Sequence, residues 1–456
     1  LSNPLKVRRL SDMEAVFVAL GTLFIGMAIG MPLCWLFIAS SIAGLLASGS
    51  SITFLAGTFF HAVDNNVLMA VAFFIFAGSL LSEAGLADRI VRFSYALVGR
   101  IRGGMEAVGI VATLFLGALT GSSIPCISAL IPLLVPRLER YGYEKRYTAA
   151  LLCASCFLGY LIPPSVPALL YCLIAQQSVS AMFLATIGPG LLIAGGYAIL
   201  NYIICPKFID PKLIQEAPAF PDTFIGSVKE LSKATWFALP ALGCPALIMV
   251  GIYGGICTPN EAGAIAAVYC MIIGFFVYRE LSLAGTGRAL YSSVLSIGVV
   301  IVLIATGTVF GRYLIKIGVA QMVANYAMSL FQTKTMILMS MNIVLLVLGM
   351  FIDGTPILVL AVPLFLPLMQ QLGVNLVHLG SIVILNIGLG VITPPFAMSL
   401  FVGTRLSGCT YVELVKIVLM FFVFVGIPVL LLTTYIPAIS CWLPTIVLGP
   451  EIVGPW

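Results

Sequence analysis

Apolar stretches long enough to cross a membrane alternate with short polar connections along the chain, and the alternation occurs twice. In the first half the pattern predicts helical spans near 12–30, 31–49 and 64–84. An amphipathic segment follows, Asp88 to Arg102, with Arg89, Arg92, Arg100 and Arg102 set among Ile90, Val91, Phe93 and Leu97, as in a helix lying in a membrane interface. The apolar stretch Met105 to Leu138 is interrupted at Thr120-Gly-Ser-Ser-Ile-Pro125. Each arm is about 14 residues, shorter than the roughly 20 a spanning helix needs, which predicts a re-entrant hairpin. The next run, 147–177, is broken by Pro163, Pro164 and Pro167, and another span covers 181–205. After the polar, proline-containing linker 206–233 come spans near 234–252, 261–279 and 290–314, a hairpin tipped by Asp353-Gly-Thr-Pro356, a run 378–403 broken at Pro394-Pro395, and a final span 411–437.

The two halves keep register. Gly142 and Gly373 stand 231 positions apart, as do Pro163 and Pro394; Gly117 and Gly349 stand 232 apart, Gly85 and Gly318 233. Helix breakers inside apolar segments are tolerated in a membrane only around protein or a lined cavity. Their repetition at matching places in two halves is the sequence mark of a secondary transporter's binding site. The expected layout is an N-terminal segment 1–11; a first repeat 12–205 with hairpin 105–141 and broken helix 147–177; a cytoplasmic linker 206–233; a second repeat 234–437 with hairpin 334–371 and broken helix 378–403; and a tail 438–456. Hairpins return to the side they left, so each half crosses five times, and an odd number inverts the second half relative to the first.

Composition sharpens the class. The 456 residues are 61% hydrophobic and 9% charged, against roughly 25% charged in a soluble globule. The chain reads as an all-α polytopic membrane protein, and Met13 to Gly30 as its first span rather than a cleavable signal, because another span follows directly. The net charge of +5 reflects loop ends, not nucleic-acid binding. Sixteen of the 22 Lys and Arg fall on one side of the expected topology and six on the other. The richer side is cytoplasmic by the positive-inside rule. Both termini then face outward, against which only Lys6, Arg8 and Arg9 count. Most of the 11 cysteines lie in apolar runs; Cys153-x-x-Cys156 has no companion ligands and reads as buried packing. Intramembrane hydrolase signatures are missing, since there is no H-E-x-x-H and no G-x-S-x-G supported by histidine. His61 and His378 are expected at the interface, and Thr258-Pro-Asn-Glu261 reads as a helix start.

Six motifs in order carry a family likeness. Gly117-Ala-Leu-Thr-Gly-Ser-Ser123, Arg140-Tyr-Gly-Tyr143, Leu158-Gly-Tyr-Leu-Ile-Pro-Pro-Ser165, Gly254-Gly-Ile-Cys-Thr-Pro-Asn-Glu-Ala262, Gly349-Met-Phe-Ile-Asp353 and Ile392-Thr-Pro-Pro395 resemble the large membrane (permease) subunit of tripartite ATP-independent periplasmic (TRAP) transporters, over about Met13 to Pro444. The resemblance implies an inverted-repeat elevator transporter with two re-entrant hairpins and two broken helices. It implies sodium-coupled uptake of an organic acid, such as a dicarboxylate or sialic acid, across the bacterial inner membrane. Its implied partners are a small four-helix membrane subunit and a periplasmic substrate-binding protein. A self-sufficient carrier of the dicarboxylate/sodium symporter type shares this architecture and is the alternative. The chain departs from the family pattern at Ile124-Pro-Cys-Ile127, at Cys172 and at Phe396-Ala-Met-Ser399.

Helix ends at the breaks expose carbonyls that suit Na⁺ and amides that suit a carboxylate. On that footing one sodium ion is expected among Thr120, Gly121, Ser122, Ser123, Gly159, Ile162, Pro163 and Ser165. A second is expected among Asp353, Gly354, Thr355, Gly390, Thr393 and Pro394. Substrate is expected between the tips, near Ser123, Pro164, Thr355, Pro356, Asn386, Pro395 and Ser399. No organic cofactor or transition metal is expected.

Overall fold

Breakers and caps divide the first half into short rods. The computed structural model describes residues 4–49, 51–100, 104–215, 224–331 and 333–456. Ile101 and Arg102 of the amphipathic segment, part of the 206–233 linker and residues 1–3 therefore lie outside the described residues. Helices α1 (Pro4–Ala28) and α2 (Leu33–Ala47) are separated at Gly30 and Pro32, and α3 (Thr53–Val63) precedes α4 (Asn66–Glu83). Asn65 starts α4 by accepting from the Val67 amide at 2.9 Å. Gly85, at φ 67°, opens the amphipathic α5 (Leu86–Val98). The first hairpin is α6 (Gly104–Thr120) and α7 (Ser123–Arg140), followed by strand β1 (Tyr141–Tyr143). The broken span comprises α8 (Lys145–Ser155), α9 (Leu158–Leu161) and α10 (Val166–Ala175), bent by 42° at the break. Helix α11 (Val179–Ile204) leads to strand β2 (Ile209–Ile214), which pairs antiparallel with β1.

The second half repeats the order. Helix α12 (Phe224–Tyr253) answers α1, α13 (Pro259–Ile272) answers α2, and the 34-residue α14 (Leu283–Lys316) answers α3 and α4 together. Gly318, at φ 80°, opens α15 (Val319–Leu330), the counterpart of α5. The second hairpin is α16 (Lys334–Phe351) and α17 (Gly354–Gln371); its broken span is α18 (Leu376–Gly390) and α19 (Met398–Ser407). The final span, α20 (Tyr411–Phe421) and α21 (Ile427–Tyr435), is joined by a π-helical turn, and α22 (Ala438–Leu448) and α23 (Pro450–Val453) follow. Left-handed glycines recur at Gly142 and Gly373, the positions that end the two hairpins. A residue with a Cβ is strained in that conformation, which accounts for glycine at both.

Both hairpins return to the end they left. Lys334 Nζ at the start of α16 donates to the Gly373 carbonyl just past α17, at 3.4 Å. Thr148, in the first turn of α8, which follows the short strand after α7, donates from Oγ1 to Glu106 Oε1 at the start of α6. The arms of the first hairpin are 17 and 18 residues long rather than about 14, because the interruption narrows to Gly121 and Ser122, with α7 already helical from Ser123, and α7 runs on to Arg140.

Other boundaries differ as well. The described part of 206–233 is not all linker: β2 ties it to the first hairpin, and α12 begins at Phe224. The tail 438–456 is largely helical and docks on the bundle, with Asn375 Nδ2 donating to the Val453 and Pro455 carbonyls. His378 is buried in α18, 3% exposed, with Nε2 3.3 Å from the Thr434 carbonyl, whereas His61 is exposed. Thr258 and Glu261 form the helix start read from sequence, with Glu261 Oε2 accepting from the Thr258 amide at 2.8 Å.

Eight helices among the described residues are long and apolar enough to cross a membrane, nine if the bent pair counts as one span. Two cores divide the work. A large one unites the hairpins, the broken spans and α4, α11 and α13. A smaller one joins α1 and α2 to α14, with Phe37 stacked on Phe310 at 5.6 Å.

Candidate functional site

The first tip is built by Gly121, whose φ of 60° turns the chain between α6 and α7. Its amide closes α6 onto the Gly117 carbonyl at 2.8 Å, while its own carbonyl accepts from the Val166 amide of the broken span at 3.3 Å. Thr120 Oγ1 donates to the carbonyls of Leu116 at 3.0 Å and Ser122 at 3.2 Å. The Ser122 carbonyl faces Gly159: a Cβ there would stand 2.8 Å from that oxygen. Ser165 caps α10 through the Ala168 amide at 3.4 Å and donates to the Tyr160 carbonyl at 2.6 Å. Ser123 is fully buried, its Oγ donating to the Tyr160 hydroxyl at 2.9 Å. Tip and break thus form one polar knot around Ile162 and the Pro163–Pro164 bond, which is cis.

The second tip is Ile352–Asp353. Asp353 stands at the N-cap of α17, and its Oδ1 is buried without a hydrogen-bond partner among the described residues. The second break is wider than the first, running from Val391 to Ala397 around the cis Pro394–Pro395 bond. Thr393 Oγ1 donates to the Leu389 carbonyl at 2.6 Å and Ser399 Oγ to the Val391 carbonyl at 2.8 Å. The close approaches match between halves. A Cβ on Gly117 would stand 2.6 Å from the Gly159 Cα, and one on Gly349 2.6 Å from the Gly390 Cα.

The two tips meet at a cavity of about 420 Å³. Thr120, Gly121 and Ser122 line it from the first tip, Asp353 and Thr355 from the second, and Tyr160 from the first break. The opposite wall is α4 and α14, which present Ser79, Ser82, Ser292 and Ser296, with Glu83, paired to Arg288 at 2.7 Å, beside them. A second cavity of about 160 Å³ lies between the second tip and the second break, lined by Met350, Asp353, Val391 and Phe396 among others. Asp353 therefore borders both.

Of the seven residues expected at the substrate, only Thr355 lines the larger cavity. Ser123 is bonded to Tyr160, and the Pro164 carbonyl abuts Gly121. Pro356 is buried in the first turn of α17. Asn386 Nδ2 donates to Asn342 Oδ1 at 2.8 Å and to the Ile382 carbonyl at 3.0 Å, within the α16–α18 packing. The Pro395 carbonyl accepts from the Tyr411 hydroxyl at 2.7 Å. Tyr160 and the four wall serines were not singled out from sequence. The serines had a legible signal, since Ser79 and Ser82, and Ser292 and Ser296, are spaced to share one face of an apolar helix.

The family model described as "Tripartite ATP-independent periplasmic transporter, DctM component" matches residues 20–439. The chain is similar to the C4-dicarboxylate TRAP transporter large permease protein DctM of Vibrio cholerae, at 34% identity over 457 residues, covering 94% of this chain and 98% of that one. It is similar to the sialic acid TRAP transporter large permease protein SiaM of the same organism, at 33% over 435 residues, covering 95% and 99%. In fold it resembles the YdaH transporter of Alcanivorax borkumensis, with a TM-score of 0.56 at 16% identity, covering 84% of this chain and 86% of that one. A match over nearly the whole chain, on a helical membrane fold with paired hairpins meeting at one cavity, shows that this protein belongs to the DctM family, the large permease components of TRAP transporters.

Proposed function

We propose that the chain carries out sodium-coupled uptake of an organic acid across the bacterial inner membrane. In this reading a periplasmic binding protein delivers the substrate, and a small four-helix membrane subunit completes the assembly. The observation that carries it is the shared position of Asp353, a half-buried carboxylate with one buried, unpartnered oxygen, between the hydroxyl-lined cavity and the pocket at the second break. An ionisable group at membrane depth is costly and usually functional. Asp353, the Thr355 hydroxyl and the carbonyls around Gly390 and Thr393 are the oxygen donors a hard monovalent cation takes, so the residues fit the expected ion. At the first tip the Gly121 and Ser122 carbonyls each accept bonds already, yet a carbonyl oxygen has two lone pairs. Sodium supplies positive charge beside Asp353, which makes the site tolerant of an acid. The amide ends of α7 and α17 favour the substrate carboxylate electrostatically.

The proposed motion is a slide of the hairpins and broken spans along α4 and α14. In support, the contact faces hold glycines where the two parts come close: Gly78 against the Thr120 backbone, and Gly307 and Gly311 against the side chains of Val359 and Pro363. The cavity lies beside Ser82 and Ser292, near the end of α4 and the start of α14, which the Lys and Arg distribution assigns to the cytoplasmic side. The names of the relatives, which specify C4-dicarboxylate and sialic acid, support an acid as substrate.

Proteoliposomes containing this chain, its small membrane partner and its binding protein test the reading, screened over dicarboxylates, sialic acid and sugar acids. The expected result is uptake of one acid that needs all three proteins and an inward sodium gradient. Uptake indifferent to the gradient would turn the reading into a passive pore. Sodium-driven uptake by this chain alone would replace it with the self-sufficient carrier.

A further inference from the structure

A cavity of about 870 Å³ lies apart from the tips, at the Lys- and Arg-rich end. Helices α5, α7 and α12 enclose it, together with Glu280 from the turn before α14. Its charges sort into used and unused. Arg89 is committed: Nη1 and Nη2 donate to Glu280 at 3.2 and 2.6 Å, and the guanidinium lies 3.8 Å from the centre of the Tyr278 ring. Arg92 is paired with Asp88 at 2.7 Å on the exposed face of α5. Arg137, Lys233 and Glu230 remain, two cations against one acid, and neither cation has an ion-pair partner among the described residues. Arg137 is held 5.0 Å from the centre of the buried Tyr95 ring, which leaves its donors directed by that stacking rather than by a carboxylate. Burial, and then the neighbouring Tyr141, push the Tyr95 phenol up to about 12, so it stays a neutral hydrogen-bond donor.

The setting supplies the second half of the argument. Beside Lys233 on α12, Trp236 is 73% exposed and Phe237, which lines the cavity, 56%. Aromatic side chains exposed next to basic ones mark the headgroup level of a bilayer. Helix α5 is amphipathic and carries its arginines at the same level. Basic pockets between membrane helices suit the phosphate of an anionic lipid, while the adjacent aromatics suit its acyl region.

From this geometry we infer that the cavity between α5, α7 and α12 binds the phosphate headgroup of an anionic phospholipid, with Arg137 of the first hairpin and Lys233 of α12 as its two charged contacts. The lipid then bridges the base of the hairpin to the helix that begins the second half.

The test uses the purified full chain in nonionic detergent. Its thermal midpoint is followed against added phosphatidylglycerol, phosphatidylethanolamine with the same acyl chains, and inorganic phosphate. Phosphatidylglycerol should stabilise the protein at concentrations where the other two do not. The Arg137→Gln/Lys233→Gln variant should need roughly thirtyfold more phosphatidylglycerol for half the effect, since each basic residue contributes comparably to anionic-lipid binding. Lys416→Gln, another exposed lysine, should leave the dose unchanged. Lys233 is itself exposed, so Lys233→Gln alone, with an unaltered lipid-free midpoint, keeps the result interpretable if the double variant folds poorly. Equal protection by phosphatidylethanolamine, or an unchanged dose in the folded variants, would overturn the site. Equal protection by inorganic phosphate would reassign it to a soluble anion.

Discussion

At the scale of single residues, the hydroxyls at the tips divide into those that face the cavity and those that hold it together. Thr355 lines the cavity, so Thr355→Ala removes one oxygen from the proposed ion site without unpairing a buried group. The sodium concentration for half-maximal uptake should rise in that variant while the thermal midpoint stays close to wild type; an unchanged sodium dependence would return Thr355 to a helix-start role. Ser123 is different, because its Oγ donates to the Tyr160 hydroxyl in a fully buried contact. Ser123→Ala alone leaves the phenol short of a partner and should cost about 1–3 kcal/mol, whereas removing both hydroxyls, Ser123→Ala with Tyr160→Phe, should recover most of that. A double-mutant cycle of unfolding midpoints reads the coupling, and strict additivity would refute it. Asp353 was legible in the sequence because it is the only acid of the second hairpin. Tyr160 was not, because an aromatic inside Leu158-Gly-Tyr-Leu reads as core until the break two residues on brings its hydroxyl to the first tip.

At the scale of elements, each hairpin rests on its broken span through one glycine pair, Gly117 on Gly159 and Gly349 on Gly390. An added Cβ meets backbone at 2.6 Å, and backbone cannot swing aside as a flexible side chain does. Gly117→Ala and Gly349→Ala should each destabilise by about 1–3 kcal/mol and lower uptake, in both halves alike. Gly195→Ala, in α11 with nothing within 4 Å, is the control and should be neutral or slightly stabilising. A tolerated substitution at either paired glycine would show that hairpin and broken span do not pack this tightly. The glycines and their spacing are visible in the sequence, but not the partnership, since 41 or 42 positions separate each pair and no periodicity links them. Similar reasons explain other elements. Asp64-Asn65 splits α3 from α4, and nothing at the matching place splits α14. Strand β2 is hidden by Asp210, Pro211 and Lys212, which read as linker because the pairing with β1 that orders them is remote.

At the scale of the whole molecule, α14 is the ruler. Its 34 residues extend about 51 Å, more than a bilayer's hydrocarbon thickness. The base of the first hairpin lies by its beginning, where Arg137 and Tyr141 share a cavity with Glu280, three residues before Leu283. The base of the second lies by its end, where Gln371 donates to Gln321 in α15, the helix that follows Lys316 at once. The hairpins thus enter from opposite ends, an arrangement already implied by five crossings per half. What the sequence left open was how the halves interlock, because contacts such as Tyr160 beside Gly354 join residues from different repeats. The topology can be tested by labelling. The 11 cysteines carry no disulfide, and eight are buried, so replacing Cys34, Cys257 and Cys409, the half-buried three, gives a quiet background for a membrane-impermeant thiol reagent. In that background Arg140→Cys should label only from the cytoplasmic side and Gln371→Cys only from the periplasmic side. The sidedness follows from the Lys and Arg count and the opposition from α14, so the two parts fail separately. Exchange of the two sides would reverse the orientation and keep the inversion. Labelling of both from one side would break the inverted repeat and, with it, a binding site assembled from hairpins of opposite entry.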